Sequence, residues 1–437
     1  MIYNKYSKKC IDFVNTHFTN YVNVNITNNP DIPDIANFYK IFKNTYEKFT
    51  FVKKSMDLPK INDNKCALMF VLCKMIYESD KINVFNLPNE TLTNTQSFYK
   101  WHNETSHSID INKLSSYKSD NQEITNLIKL IFEQKNPRKK LHNLLYNNNF
   151  VSIDIQFFAE SQNLIYESYI GDDFSIYVYK KNTDVININN IIHIWKFIKY
   201  ISNVDTPFIL TILYCPIKKL INSTADILTP MNANSGSTLA GSFVNIWRSE
   251  ELEKVLFHEL IHFSHMDIDS SENHEVNTYL MNKFMITKTS HDSSLESFTE
   301  SLAILLHTIY MAYKMDNFKM IDELFKWEIL FSLFQTSKIL VFFNFNNFEE
   351  FLFNSDQIKI NQTTSILSYY IVKSSIIYNI NTFLEFLKNK TKYITFIKKQ
   401  FEKSYVNKIN NIMKYIIENK NKSFIWETMR MSCITLV

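Results

Sequence analysis

The sequence predicts an α+β protein: a small mixed sheet ending in a strongly marked helix, with a mainly helical region before it and a helical region after it. Three observations carry this. Apolar residues recur at three- and four-residue spacing in several stretches of the first 149 residues. Strand-length apolar or alternating runs are confined to 150–247. From 293 onward long periodic stretches return. The predicted organisation is a helical N-terminal domain over 1–149 and a second domain over 150–437. The latter divides into the sheet with its strong helix (150–270) and a helical part (271–437).

In order along the chain, helical spacing covers Tyr6–Phe18, Asp34–Phe49, Ala67–Tyr77 and Ile124–Phe132, with Pro30 and Pro33 breaking the first connection. Phe150–Phe158, Phe174–Tyr179, Phe208–Cys215 and Ser242–Trp247 read as strands, and Ile191–Ile201 as a helix between the second and third. A strong helix begins near Ser249, a good N-cap, with Glu250 and Glu251 where the helix dipole favours negative charge. Two of only three glycines, Gly236 and Gly241, precede the last strand, where backbone turns sharply or lets another group come close. Leu295–Met311, Met320–Phe334, Ile366–Phe386 and Tyr393–Ile417 complete the helical part.

Composition narrows the function classes. With 437 residues and 45% hydrophobic content the chain can bury a sizeable core, which excludes wholesale disorder. No apolar run spans a bilayer and no signal peptide is evident, so a cytoplasmic location is expected. Five cysteines without a C-x-x-C pair argue against a disulfide framework or a thiolate zinc site. The 47 basic and 44 acidic residues nearly cancel, so no global field for nucleic acid or membrane is implied. Three arginines, three glycines and abundant Asn, Ile, Lys and Phe resemble proteins from AT-rich genomes such as large DNA viruses; a viral chain would act in host cytoplasm or virion.

The chemistry is concentrated in His258-Glu259-Leu260-Ile261-His262. Residues four apart on a helix stand one turn above each other, so both imidazoles reach one ion. Glu259 lies on the neighbouring part of that face, able to hold a water without ligating. Zinc lowers the pKa of a bound water from 15.7 towards about 7, and a carboxylate base takes its proton as it attacks a carbonyl. His258 and His262 continue the apolar stripe set by Leu252, Val255 and Leu256, where ionisable groups are costly unless paired or metal-bound. The bland alternative is a helix with two partly exposed histidines.

A catalytic zinc site needs a third protein ligand. His265, Asp267, His274, Glu275 and His291 qualify by type. The stronger candidates are Glu296 and Glu300 in Leu295-Glu296-Ser297-Phe298-Thr299-Glu300-Ser301-Leu302-Ala303. Four apart on an otherwise apolar helix, one carboxylate can ligate while the other accepts a ligand histidine's N–H.

H-E-x-x-H followed by E-x-x-x-E on a second helix resembles the gluzincins, the thermolysin-like zinc metallopeptidases, and Glu296-Ser-Phe-Thr-Glu300 locally resembles the anthrax lethal factor type. The resemblance covers about residues 240–306. It implies a zincin-like catalytic domain holding one Zn²⁺ on His258, His262 and Glu296, with Glu259 as general base and Glu300 supporting a ligand. It also implies a zinc-dependent endopeptidase that binds a protein or peptide along Ser242–Trp247 as an edge strand. The sequence departs from the lethal factor type at Thr289, where that type has a Tyr. The E-x-x-A of other gluzincins would instead make Glu300, followed by Ala303, the ligand. Tyr279, His274, Tyr310, Tyr369 and Tyr370 are candidates for a transition-state donor.

Two other function classes compete. One is a catalytically silent zincin-fold binding or virion structural protein, against which the presence of Glu259 argues. The other is nucleic-acid binding through Lys388–Lys422, which holds ten lysines interleaved with aromatics. Ile394, Ile397, Phe401, Tyr405, Ile409, Ile412 and Ile416 have helical spacing there, so a solvated Lys face on core helices is the simpler reading. Oligomeric state has no signature in the sequence.

Overall fold

The computed structural model describes residues 3–28, 34–47, 49–57, 141, 144, 145, 148, 150–221, 226–286, 293–352, 359–389, 391–419 and 424–436. The expected helices Ala67–Tyr77 and Ile124–Phe132 lie outside the described residues, as do Pro30, Pro33, Thr289 and His291.

The protein is mixed α+β, with one six-stranded sheet and helices packed on it. The strands are β1 (Val52–Asp57), β2 (Ile165–Ile170), β3 (Phe174–Lys180), β4 (Phe208–Leu213), β5 (Gly236–Leu239) and β6 (Phe243–Ile246). Their order is β1-β2-β3-β4-β6-β5, with β3-β4 and β4-β6 parallel and the other pairs antiparallel. Parallel neighbours need a crossover, and α4 (Ile188–Ser202) supplies it between β3 and β4. Among the described residues, the longer helices before the sheet closes also include α1 (Lys5–Phe18), α2 (Asp34–Thr45) and α3 (Ile153–Ser161).

The sheet differs from expectation at three places. Phe150–Phe158 is not a strand: Ser152 is extended at the N-cap, Asp154 sits in the first turn, and Ile155, Phe158 and Ala159 bury at helical spacing in α3. Periodicity over so short an apolar run does not separate strand from helix. The strands β1, β2 and β5 were not anticipated, because each is short and interspersed with polar residues. Finally, Ser242–Trp247 does not present a free edge. Its strand β6 pairs with β4 on one side (Leu210 with Val244) and β5 on the other (Thr238 with Val244), so the edge falls to β5. A three-residue turn folds β5 back on β6, and Gly241 takes φ 64° within it, a conformation that suits glycine.

After β6 come α5 (Leu252–Phe263), α6 (Ser270–Lys283), α7 (Leu295–Lys314), α8 (Met320–Phe342), α9 (367–378), α10 (Ile380–Asn389), α11 (Tyr393–Lys398) and α12 (Lys403–Asn419). The α5 helix lies between the sheet and α7, with α4 alongside. Leu256, Phe257, Leu260, Ile261 and Phe263 are fully buried there, each stabilising by roughly 1.5–3 kcal/mol relative to exposure. Helix α1 packs on α8, and α2 on α4 and α7, so the described parts of residues 5–57 share one core with the rest.

Helix α5 starts at Leu252, three residues after the expected cap. Ser249 instead donates its hydroxyl to the Cys215 carbonyl, and Glu251 occupies the N-cap in a left-handed conformation, φ 59°. Tertiary partners override the capping preference: Glu251 bonds Lys219 at 2.5 Å and accepts the Met431 and Ser432 amides, while Glu250 accepts the Lys219 amide. Among the described residues no helix is long and apolar enough to cross a membrane. In α11 and α12, Tyr393, Phe396 and Tyr405 are buried while Lys398, Lys399, Lys403 and Lys414 face solvent, so those rings are not free to stack on bases.

Candidate metal centre

The site is built on α5, α7 and the β5 edge. His258 and His262 are one turn apart on α5, and α7 is packed close enough for Glu296 to meet both. His258 Nε2 and His262 Nε2 are 3.2 Å apart, and Glu296 Oε2 lies 3.2 Å from the first and 3.4 Å from the second. Among the described residues this is the group of histidine and acidic side chains whose ligand atoms gather to hold an ion. A tetrahedral ion with bonds near 2.0–2.1 Å spaces its ligands about 3.3–3.4 Å apart, close to the observed edges of 3.2, 3.2 and 3.4 Å.

Proton accounting points the same way. His258 Nδ1 lies 2.9 Å from Glu300 Oε2, and His262 Nδ1 lies 2.9 Å from Asp267 Oδ2. A carboxylate only accepts, so each Nδ1 carries the hydrogen and each Nε2 of a neutral ring presents a lone pair. Among the described residues, two lone pairs and a Glu296 oxygen that finds no hydrogen-bond donor then converge with no cationic side chain between them. The arrangement calls for a cation or for extra protons. Accordingly, although burial opposes charging either ring, the bonds and charges of Glu296, with Glu300 at His258 and Asp267 at His262, raise both imidazole pKa values, that of His262 well above 6.5. Burial acts against ionising Glu296 too, yet the two histidines hold its carboxyl well below the usual carboxylate range.

The supports of the ring hydrogens are themselves held. Glu300 is fully buried on the far side of the His258 ring from the triad and ion-pairs with Lys254, one turn before His258 on the same helix. Asp267 also accepts the Thr299 hydroxyl at 2.5 Å. Glu300 therefore orients His258 and cannot reach the point where the other ligand atoms meet.

Glu259 points toward β5 rather than into the triad. The Thr238 hydroxyl donates to its Oε2 at 2.7 Å. Burial pushes its carboxyl pKa upward while the two histidines and Thr238 pull it down. Gly236 makes room for it, since a Cβ there would overlap the Glu259 carboxylate. The expected consequence is steric: Gly236→Ala should displace Glu259 and lower stability by about 1–3 kcal/mol, read as a drop in thermal midpoint. An unchanged midpoint with an unmoved Glu259 would show that the close approach is not constraining.

Tyr369 sits in a π-helical stretch of α9, Leu367–Val372, its ring 6.1 Å from that of His258 and its phenol under the influence of the Glu296, Glu259 and Glu300 charges. Burial and the surrounding carboxylates raise its pKa well above 10, so it remains a donor. The other residues singled out by type lie elsewhere. Tyr310 is packed among Phe257 and His193, Tyr370 donates to the Met429 carbonyl, and His274 and Glu275 are exposed on α6. Thr238, Lys254 and Thr299 escaped the sequence reading. The spacing of Lys254, His258 and His262 at four-residue steps was the available signal for the second of them. Compared with family models, with curated proteins and with solved structures, the chain matches none of them.

Proposed function

We propose that the chain is a zinc-dependent endopeptidase of the gluzincin kind, with a zincin-like catalytic domain built on β5, α5 and α7. One observation carries this reading: two imidazole lone pairs and a carboxylate oxygen stand 3.2–3.4 Å apart beside a buried carboxylate that does not join them. His258, His262 and Glu296 would hold one Zn²⁺, leaving a fourth position open. When bound, the metal supplies Lewis acidity, polarising the scissile carbonyl and making a water acidic near neutral pH.

The residues of the chain do the rest. Glu259 takes a proton from the attacking water, whose oxygen bonds to the carbonyl carbon. As the C–N bond breaks, Glu259 returns that proton to the departing nitrogen. Thr238 holds the Glu259 carboxylate by Oε2, leaving Oε1 for the proton. Tyr369, protonated and beside Glu296, is placed to donate to the carbonyl oxygen as charge develops there. Among the described residues no strand pairs with the outer edge of β5, so an extended substrate would add there as a further strand.

The test is metal analysis of the purified full chain together with digestion of a mixed peptide pool. One zinc per chain is expected, with cleavage lost on chelation and restored by zinc. A chain that binds no zinc from micromolar solution, or that binds it without cutting any peptide, would refute the reading.

A further inference from the structure

We infer that the residue whose nitrogen leaves in the proposed cleavage carries an acidic side chain, received by Lys219 and Lys254; this rests on the peptidase reading above. A cavity opens beside His258 and Glu259, lined by neither His262 nor Glu296; Lys219, Lys254, Val255 and Met431 wall it together with Glu300, whose charge Lys254 already balances. Glu259 hands its proton to the leaving nitrogen, so the residue bearing that nitrogen lies on this side and its side chain enters this cavity.

Two buried lysines in the wall of a cavity are unusual, because an ammonium is costly to bury. Lys219 and Lys254 are 1% and 2% exposed. Each ammonium has three N–H donors. Lys219 Nζ is bonded to Glu251 Oε2, and Lys254 Nζ to Glu300 and weakly to the Met431 sulfur at 3.8 Å. Counting partners among the described residues, donors are left over on both walls. Burial depresses the Lys219 pKa against the pull of Glu251 and Glu250. A carboxylate entering here gains charge-assisted hydrogen bonds, whereas an apolar side chain would strip water from unpaired N–H groups and return nothing. The Lys219 position is fixed from behind. Its amide donates to Glu250, its carbonyl accepts the Met429 amide, and Glu251 is pinned by the Met431 and Ser432 amides.

The experiment uses the zinc-loaded full chain and a random peptide pool, sequencing the new N-termini, since the first residue of each is the one that bore the leaving nitrogen. Asp or Glu should be enriched there by at least about tenfold over Leu or Phe. The double variant Lys219→Met, Glu251→Gln removes the ion pair as a unit and should bring Asp and Leu towards parity among the new N-termini; an undiminished acidic preference in this variant would overturn the inference. Cleavage by the native chain with Leu, Phe or Lys most enriched would overturn the inference and leave the peptidase reading standing. A folded chain holding one zinc that cuts nothing in the pool would overturn both.

Discussion

Glu259→Gln is expected to keep zinc at one ion per chain while lowering peptide hydrolysis by about 10²–10⁴-fold, the usual share of a positioned general base. The amide is nearly isosteric and can still accept from Thr238, so the contact at 2.7 Å that holds the side chain survives. What is lost is the capacity to take a proton. Because Glu259 stands outside the triad, its neutralisation should leave the three ligand atoms where they are. Zinc content by mass spectrometry and turnover on a cleaved peptide decide the matter together. Loss of zinc in this variant would make Glu259 a ligand, and undiminished turnover would remove it from the chemistry.

The carboxylates of α7 should separate in a zinc titration combined with thermal unfolding. Glu296→Gln removes the ligand oxygen and should cost zinc affinity most, more than 100-fold. Asp267→Asn and Glu300→Gln disturb only the ring hydrogens of His262 and His258 and should cost about 10–100-fold each. Stability should rank differently. Glu300→Gln leaves the Lys254 ammonium buried without its counter-ion, a loss of about 3–5 kcal/mol, whereas Asp267 is partly exposed and its replacement is milder. Acidity provides an independent arm. Both Nε2 atoms must be unprotonated to ligate, so binding releases protons and affinity falls as pH falls. The metal-free rings have pKa values raised above 6.5, so the fall should begin above the ordinary imidazole range, while Glu296 stays ionised throughout. Zinc affinity that is flat from about pH 8 to 6, or equal losses for Glu296→Gln and Glu300→Gln, would contradict this account of the site.

Much of the fold was legible because its signal is local. The α5 stripe of Leu252, Val255 and Leu256 and the long apolar periods of α7 and α8 have one way to bury their faces. The short strands were not legible in the same way. Gly236–Leu239 is four residues with no alternation, and its place at the sheet edge depends on pairing with β6. The start of α5 misled for a related reason. Ser249 has a cap's chemistry, but Glu251 is drawn into the N-cap by Lys219 and the amides of Met431 and Ser432, residues 32 or more positions distant.

By itself the sequence determined the pair of histidines, the Glu259 carboxylate beside them and two acidic candidates for a third ligand, since four-residue spacing on a helix fixes which side chains share a face. Only the tertiary structure distinguishes the surroundings of Glu296 from those of Glu300. The two differ by one helical turn, and the packing of α7 on α5 brings the first to the Nε2 atoms and the second to Nδ1 of His258. It likewise pairs the strand within Ser242–Trp247 on both sides, makes Gly236–Leu239 the outer strand among the described residues, and sets Lys219 and Lys254 around the cavity. Spacing along a helix is a local geometric constant, while which ring atom or strand edge faces which neighbour is set by how separate elements pack.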